Sequence, residues 1–455
     1  MRKSEICSRN LGFFCFFCTC FFLLLWLVNW SGNLPFSFVN SSRHLNFRGF
    51  VFFLFRVFVY ELIFLMEESC SVAYVDDDGG DKEEEGTLVS LDAILPDELL
   101  EKVLSLLPIA SIVESGFVCK RWYKVAHSPR PSWATMPLQK PWYFMFLCDD
   151  DDAAAALSGH VYDPCLRQWR GFGFSCFEKS NWHISSSRGL VCAMDRDDGS
   201  RLLVGNPVTR VWKRLPRLPG GRSPDYNALA VSFDRGTRGY TVAVAKCTQA
   251  PGDSHRRNIS IHVYESEAQS WGTSFARSLV GWRGGDEAVI CDGVLYYLIH
   301  PDAEQRPHLV MFDLAAPPHP PSSLMQETIP APCPLTCARL MNLSEKLVMV
   351  GGIGRRDRSG IIRGVAIWEL EEKEWREVGR MPRRFFQGFG EFDELFTSCG
   401  AGDLVFVQCF GSPALLMFDM RLKVWKWSTR CPFTKRFTLQ FFTGFCFEPR
   451  LDVTS

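Results

Sequence analysis

The nonapeptide "VYDPCLRQW", residues 161–169, sets a tyrosine seven positions ahead of a tryptophan, with an aspartate directly after the tyrosine. The frame returns as "VYESEAQSW" at 263–271, "IWELEEKEW" at 367–375 and "MFDMRLKVW" at 417–425. Apolar residues flank each copy and polar ones fill its middle, so each reads as a strand, a tight turn and a returning strand. An odd separation across a two-residue turn sets both aromatics on one side of a hairpin: Tyr162 with Trp169, Tyr264 with Trp271, Trp368 with Trp375, Phe418 with Trp425. "LLVGNPVTRVWKRLP" adds Trp212 in the same frame, with Asn206-Pro207 as its turn. An acidic residue or asparagine accompanies each leading position, namely Asp163, Asn206, Glu265, Glu369 and Asp419.

The gap from Trp271 to Trp375 is nearly two repeats long, and "LVMFDLAAPPHPPSSLMQETIP" fills it with Phe312 and Asp313 but a proline-rich loop in place of a tryptophan. Six units of about 50 residues result. A second recurrent strand precedes several hairpins: "SRGLVCA" from 187, "CDGVLYYL" from 291, "EKLVMVGG" from 345 and "AGDLVFVQ" from 401. Some four strands per unit at this period predict an all-β propeller of six blades, in which sheets pack on their neighbours and leave no long free edge. The terminal strand "FTGFCFEP" (442–449) is expected to pair with "WYFMFLC" (142–148) and close the ring.

Ahead of the repeats lies "LPDELLEKVLSLLP", residues 95–108. Pro96 suits a first helical position, Asp97 and Glu98 place negative charge at the positive end of the helix dipole, and Pro108 stops the helix. Leu99, Leu100, Val103, Leu104 and Leu107 gather into a wide apolar stripe. Segments 109–118 and 119–125 repeat the helical spacing, giving three short helices whose core is thin, so part of the stripe is expected to remain open to a partner.

Leu95-Pro96, Glu98-Leu99-Leu100, Val103-Leu104-Ser105, Leu107-Pro108, Ile112 and Val118-Cys119-Lys120-Arg121-Trp122 follow one another in the order and spacing of the F-box, which this unit resembles. The resemblance implies docking on the Skp-type adaptor of a cullin-RING ubiquitin ligase, through Leu95, Pro96, Leu99, Leu100, Val103, Leu104, Leu107, Pro108, Ile112, Val118, Cys119 and Trp122. Glu114, Ser115 and Gly116 stand where family members often carry basic residues, a departure that would weaken adaptor binding. Among the repeats, Gly351-Gly352 with Trp375 and Trp425 is similar to the kelch pattern, although the other units lack the glycine pair. F-box and repeats together resemble the plant-type F-box/kelch-repeat proteins over roughly residues 88–450. The implied organisation is multidomain: an apolar segment at 1–66, an acidic disordered linker at 67–87, an all-α F-box at 88–135 and a kelch-like propeller at 139–450. The implied role is that of a non-catalytic receptor, the F-box holding adaptor, cullin and RING subunits while propeller loops hold a target protein. Arg188, Arg222, Trp282, Arg283, Arg355, Arg356, Arg358, Arg383 and Arg384 fall in predicted loops or strand ends and are the candidate target contacts, suited to an acidic segment.

Composition limits the other readings. A chain of 455 residues, 47% hydrophobic and 22% charged with a formal net charge of -1, is globular and carries no global basic field for nucleic acid. Its 18 cysteines, scattered among apolar residues, read as reduced core cysteines of a cytoplasmic or nuclear protein. Only Cys15 and Cys18 have metal-like spacing, with no second pair, and no cofactor motif is present; "GGIGRRDRSG" at 351–360 lacks the Lys-Ser/Thr pair of a phosphate loop and reads as a blade turn. Residues 11–30 are free of charge and long enough to span a bilayer, which would make the protein a membrane-tethered receptor. Met66, opening an acidic and ordinary soluble amino terminus, supports the competing expectation that translation starts there. A propeller enzyme or small-molecule binder, using the ring's central cavity, is the remaining alternative.

Overall fold

Between the prolines at 96 and 108 the chain coils, and beyond 142 it folds into sheets. The structure, a computed structural model, describes residues 96–128, 131–147, 157–174, 182–219, 227–302, 306–315, 328–354, 362–388, 396–433 and 442–455. The expectations for 1–66, for the linker at 67–87 and for Leu95 lie outside these residues. No helix among the described residues is long and apolar enough to cross a membrane.

Helix α1 (Asp97–Ser105) starts one residue later than expected, with Pro96 extended at its cap and Asp97 and Glu98 in the first turn. Pro108 caps α2 (Ile109–Ser115) rather than ending α1, and α2 stops before Gly116. Helix α3 (Lys120–His127) is capped by Cys119, whose Sγ accepts the Trp122 N–H at 3.5 Å. A fourth short helix, α4 (Pro131–Ala134), brings Trp133 into the core, where its Nε1–H donates to the Ser128 carbonyl at 3.0 Å. Arg121 of α3 meets Asp97 of α1 at 2.8 Å, and the Ser132 N–H donates to Glu101, joining the ends of the unit.

The remainder forms six four-stranded antiparallel sheets. Blade 1 contains β1 (Trp142–Leu147), β2 (Leu157–Asp163) and β3 (Gln168–Phe174); blade 2, β4 (Trp182–Ser187), β5 (Leu190–Asp195), β6 (Leu202–Asn206) and β7 (Val211–Arg214). Blade 3 contains β8 (Asn227–Phe233), β9 (Tyr240–Ala250), β10 (Asp253–Glu265) and β11 (Ser270–Val280); blade 4, β12 (Trp282–Cys291), β13 (Val294–Pro301), β14 (His308–Asp313) and the short β15 (Ile329–Pro330). Blade 5 contains β16 (Leu335–Leu343), β17 (Lys346–Gly354), β18 (Ile362–Glu371) and β19 (Glu374–Arg380); helix α5 (Arg383–Gly388) leads to blade 6, with β20 (Phe396–Ala401), β21 (Leu404–Cys409), β22 (Leu415–Asp419) and β23 (Val424–Trp427). The last strand, β24 (Phe442–Phe447), completes blade 1 by pairing with β1 over six residues, as the sequence predicted. The last strand and the first strand of the propeller thus share one sheet, which closes the ring.

Hydrophobic clusters lie between blades rather than within them: one spans blades 2 and 3, another 3 and 4, another 5 and 6. The recurrent tryptophans serve these joints. Trp169 Nε1–H donates to the Thr429 carbonyl at the end of blade 6, Trp271 to Pro216 of blade 2, and Trp425 to Arg380 of blade 5, at 2.8, 2.8 and 3.1 Å. Each is therefore a staple to the preceding blade.

Tyr162–Trp169, Tyr264–Trp271 and Phe418–Trp425 are direct cross-strand partners with ring centroids 5.1, 5.4 and 4.8 Å apart. Their turns hold four residues, not two. The aspartates beside the leading aromatics explain this: Asp163 Oδ1 accepts the N–H groups of Cys165 and Leu166, and Asp419 Oδ1 those of Arg421 and Leu422. Such side-chain-to-backbone bonds build the turn that the strands then extend. Among the described copies of this frame, only Glu372-Lys373 makes the two-residue turn, and it places Trp368 opposite Glu377 and Trp375 opposite Leu370. Gly351 and Gly352 are not turn residues but sit inside β17, where a Cβ would come within 3.1 Å of Leu335 and 3.0 Å of Ile362.

Candidate functional site

Strand direction divides the ring into two ends. The innermost strands of successive blades (β24 in blade 1, β4, β8, β12, β16 and β20 in the others) run the same way: Ser185 and Ser187 accept the N–H groups of Val231 and Phe233, Ser186 Oγ donates to the Cys446 carbonyl of β24, and Asn342 donates to Ile290. Where these strands finish, the chain turns tightly at Arg188-Gly189, Asp292-Gly293, Ser344-Glu345 and Gly402-Asp403, mostly with positive φ, as two-residue hairpins of right-handed strands require. The helical unit joins this same end. Lys140 lies 3.8 Å from Asp419 in the turn after β22, and Glu114 of α2 pairs with Arg170 of β3.

On the helical unit the leucine stripe proves to be two stripes. Leu100 and Leu104 are fully enclosed, with Leu107 and Ile112 behind them at 7% and 0% exposure. These four were among the candidate adaptor contacts, and the structure buries them in the unit's own core, so they are not open to a partner as that assignment expected. The parallel series stays open: Leu99 is 45% and Leu106 66% exposed, with Val103 half-buried between them. Pro96 is exposed, and Pro108, Val118, Cys119 and Trp122 are half-buried. Sequence reasoning missed Leu106, Phe117 and Tyr123, the last two being 77% and 50% exposed. The spacing 99, 103, 106 carried the signal, because it repeats the helical period one residue out of step with 100, 104, 107.

The departure at 114–116 also resolves physically. Glu114 faces the propeller and Arg170, the Ser115 hydroxyl bonds back to the Ile112 carbonyl at 2.6 Å, and a Cβ at Gly116 would stand 3.2 Å from His127. Burial holds the His127 imidazole below its ordinary pKa, aided by the positive Arg210, while its bond to the Tyr123 carbonyl opposes the shift.

The candidate target contacts do not form one surface. Arg188 sits at the helical end, paired with Glu345 and donating to the Phe233 carbonyl. Trp282 and Arg283 begin β12 at the far end, the indole edge-on to His308 at 5.0 Å. Arg383 and Arg384 are exposed on α5, also at the far end, where the Arg384 guanidinium lies 5.0 Å over Phe385 and Phe385 packs 6.0 Å from Trp427. Arg222, Arg355, Arg356 and Arg358 lie outside the described residues. Among the described residues no three His, Cys, Asp or Glu side chains converge as metal ligands.

Comparison with known proteins matches this division. An F-box-like family model covers residues 93–138, and the β-propeller model of F-box protein At3g26010-like covers 172–376. The chain is 50% identical to F-box/kelch-repeat protein At3g61590 of Arabidopsis thaliana, over 80% of this chain and 90% of that one. Similarity extends to F-box/kelch-repeat protein At5g43190 of the same plant, at 27% identity over 79% and 87% of the two chains, and to its SKP1-interacting partner 15, at 25% over 74% and 92%.

Proposed function

Since the chain belongs to the F-box/kelch-repeat proteins, we propose that it is the substrate receptor of an SCF-type ubiquitin ligase, and that it carries no catalysis of its own. The observation that supports this reading is the open series Leu99, Leu106, Phe117 and Tyr123 on a helical unit whose other leucines are already buried. Four large apolar side chains left exposed on so small a unit are costly without a partner. A Skp-type adaptor covers them, and through it cullin and RING subunits are recruited.

The target is held at the far end of the ring, where Arg383, Arg384, Phe385 and Trp427 combine cationic and aromatic side chains of the kind that dominate binding energy. Ubiquitin transfer is then a matter of proximity, since a held target presents its lysines at high effective concentration. Cytoplasm or nucleus is the compartment in which this assembly works, which fractionation of the native protein tests.

The deciding experiment is co-purification with a Skp-type adaptor. The double variant Leu99→Glu/Leu106→Glu should lose the adaptor while the propeller keeps its thermal transition; an adaptor still bound at wild-type level refutes the assignment. Charge reversal at Arg383 and Arg384 should spare the adaptor and release the target.

A further inference from the structure

Blade 3 departs from the expectation that no long free edge remains. Its outermost strand, β11, is 11 residues long, against seven for β3 and β19, four for β7 and β23 and two for β15. β11 pairs with β10 alone, so its outer side carries a row of backbone N–H and C=O groups without a strand partner. Beyond the bulge at Ser274, residues 275–280 run in unbroken register against 261–256, next to the start of β12 at the far end of the ring.

Side chains along this stretch sort by face. Ala276, Ser278 and Val280 are exposed on one, while Phe275, Arg277 and Leu279 lie half-buried on the other. Phe275 packs on Phe312 of blade 4 with ring centroids 5.1 Å apart, and Leu279 packs on the joint between blades 3 and 4. Arg277 thus stands between two apolar side chains, and Arg257 of β10, the cross-strand partner of Leu279, is its diagonal neighbour. Neither arginine makes a hydrogen bond or an ion pair among the described residues. Nearby carboxylates do not answer them: Asp253 lies 3.7 Å from Arg256, and Asp302, whose N–H donates to the Gly281 carbonyl, makes no ion pair among the described residues. Arg256, Arg257 and Arg277 against Asp253 and Asp302 leave positive charge in excess. A strand laid on this edge meets an apolar, a cationic and an apolar side chain at alternate positions.

We propose that β11 is a docking edge for an extended peptide segment of another protein, which adds to blade 3 as a fifth strand. Main-chain hydrogen bonds to residues 275–280 hold it, and its sequence is set by an acidic residue facing Arg277 with apolar residues two positions to either side. The unpaired guanidiniums favour such a partner over a second copy of this chain, because edge-to-edge pairing of two β11 strands brings like charges together. The edge belongs to a different blade from Arg383 and Arg384, and it does not depend on what the helical unit holds.

Fluorescence anisotropy of the labelled peptide Thr-Val-Thr-Glu-Thr-Val-Thr with the full chain tests it. The peptide should saturate at one per chain, and its counterpart with lysine in place of glutamate should bind at least about tenfold more weakly, the loss expected for one charged hydrogen bond. N-methylation of the valines and the glutamate, or separately of the threonines, removes the donors along one or the other edge of the peptide. Only the edge facing β11 matters, so one set should abolish binding and the other should spare it. Arg277→Glu should reverse the preference, binding the lysine peptide better than the glutamate one, and should leave the thermal transition in place. No saturation by the glutamate peptide, equal loss with both methylated sets, or an unreversed preference in Arg277→Glu would each overturn the proposal. A chain that sediments as a dimer and is dispersed by the peptide would assign the edge to a second copy and overturn it as well. Adaptor co-purification should be unaltered by Arg277→Glu, which separates failure here from failure of the ligase reading.

Discussion

Arg188 and Glu345, carried by the first hairpins of blades 2 and 5, form an ion pair across the axis of the ring. Both side chains are partly exposed, at 33% and 42%, so the pair is solvent-screened. A double-mutant cycle with Arg188→Ala and Glu345→Ala, read by urea denaturation, should give a coupling of about 0–1 kcal/mol that shrinks as salt is added. A coupling several times larger and independent of salt would mean that the crossing carries the ring's stability rather than closing its mouth.

The two leucine stripes separate stability from binding. Leu100→Ala or Leu104→Ala empties a fully enclosed site and should cost about 2–5 kcal/mol. Leu99→Ala and Leu106→Ala, on the open series, should stay within roughly 0.5 kcal/mol of wild type. Thermal denaturation of the four variants checks the ordering, and loss of stability at Leu106 equal to that at Leu104 would contradict the orientation of α1.

How much of this was legible in the sequence follows from which interactions are local. The seven-residue aromatic frame was readable because Tyr162 and Trp169 face each other across a turn built from the residues between them. The six-blade count and the closing strand followed from repetition and from alternation in 442–447. Turn length was misread, since the Asp163 and Asp419 side chains cap four-residue turns by bonds that spacing alone does not reveal. The division of the leucines was hidden for another reason: α1 has two apolar helical series, and which one is covered depends on α2, α3 and α4, the last unforeseen. Arg188 was grouped with far-end arginines because loop composition carries no sign of which end a hairpin faces. The pairing of Arg188 with Glu345 is a property of ring closure, and no local pattern encodes it.

His183 gives a signed pH dependence. Burial first, then the positive charges of Arg196 and Arg339 against the opposing Asp286, lower its pKa to about 4 from an ordinary value near 6.5. The unfolded chain therefore takes up this proton before the folded one does. The contribution is fully present above about pH 6.5 and is lost as pH falls toward 4, amounting to about 3 kcal/mol across the window. Stability of wild type minus that of His183→Gln, followed by urea denaturation from pH 7 to 4, should fall with pH. A flat difference would show the imidazole to be as accessible folded as unfolded.

Closure of the ring depends on more than the pairing of β24 with β1. Beyond Phe447 the last residues run onto blade 2, where the fully buried Asn206 donates through Nδ2 to the carbonyls of Arg450 and Val453, both at 2.9 Å. The same side chain's Oδ1 accepts the Val208 N–H, so one residue caps its own turn and clasps the chain terminus. Val453 is buried in the cluster between blades 2 and 3, and Arg238 of blade 3 donates to the Asp452 carbonyl at 2.7 Å. Asn206→Ala leaves two carbonyls and an N–H without this partner and should cost about 1–3 kcal/mol, with the loss concentrated at the closing blade. Hydrogen exchange should show faster amide exchange in 442–447 and 142–147 than in blades 4 and 5. Uniform acceleration around the ring would instead show that the blades open together and that the clasp has no local role.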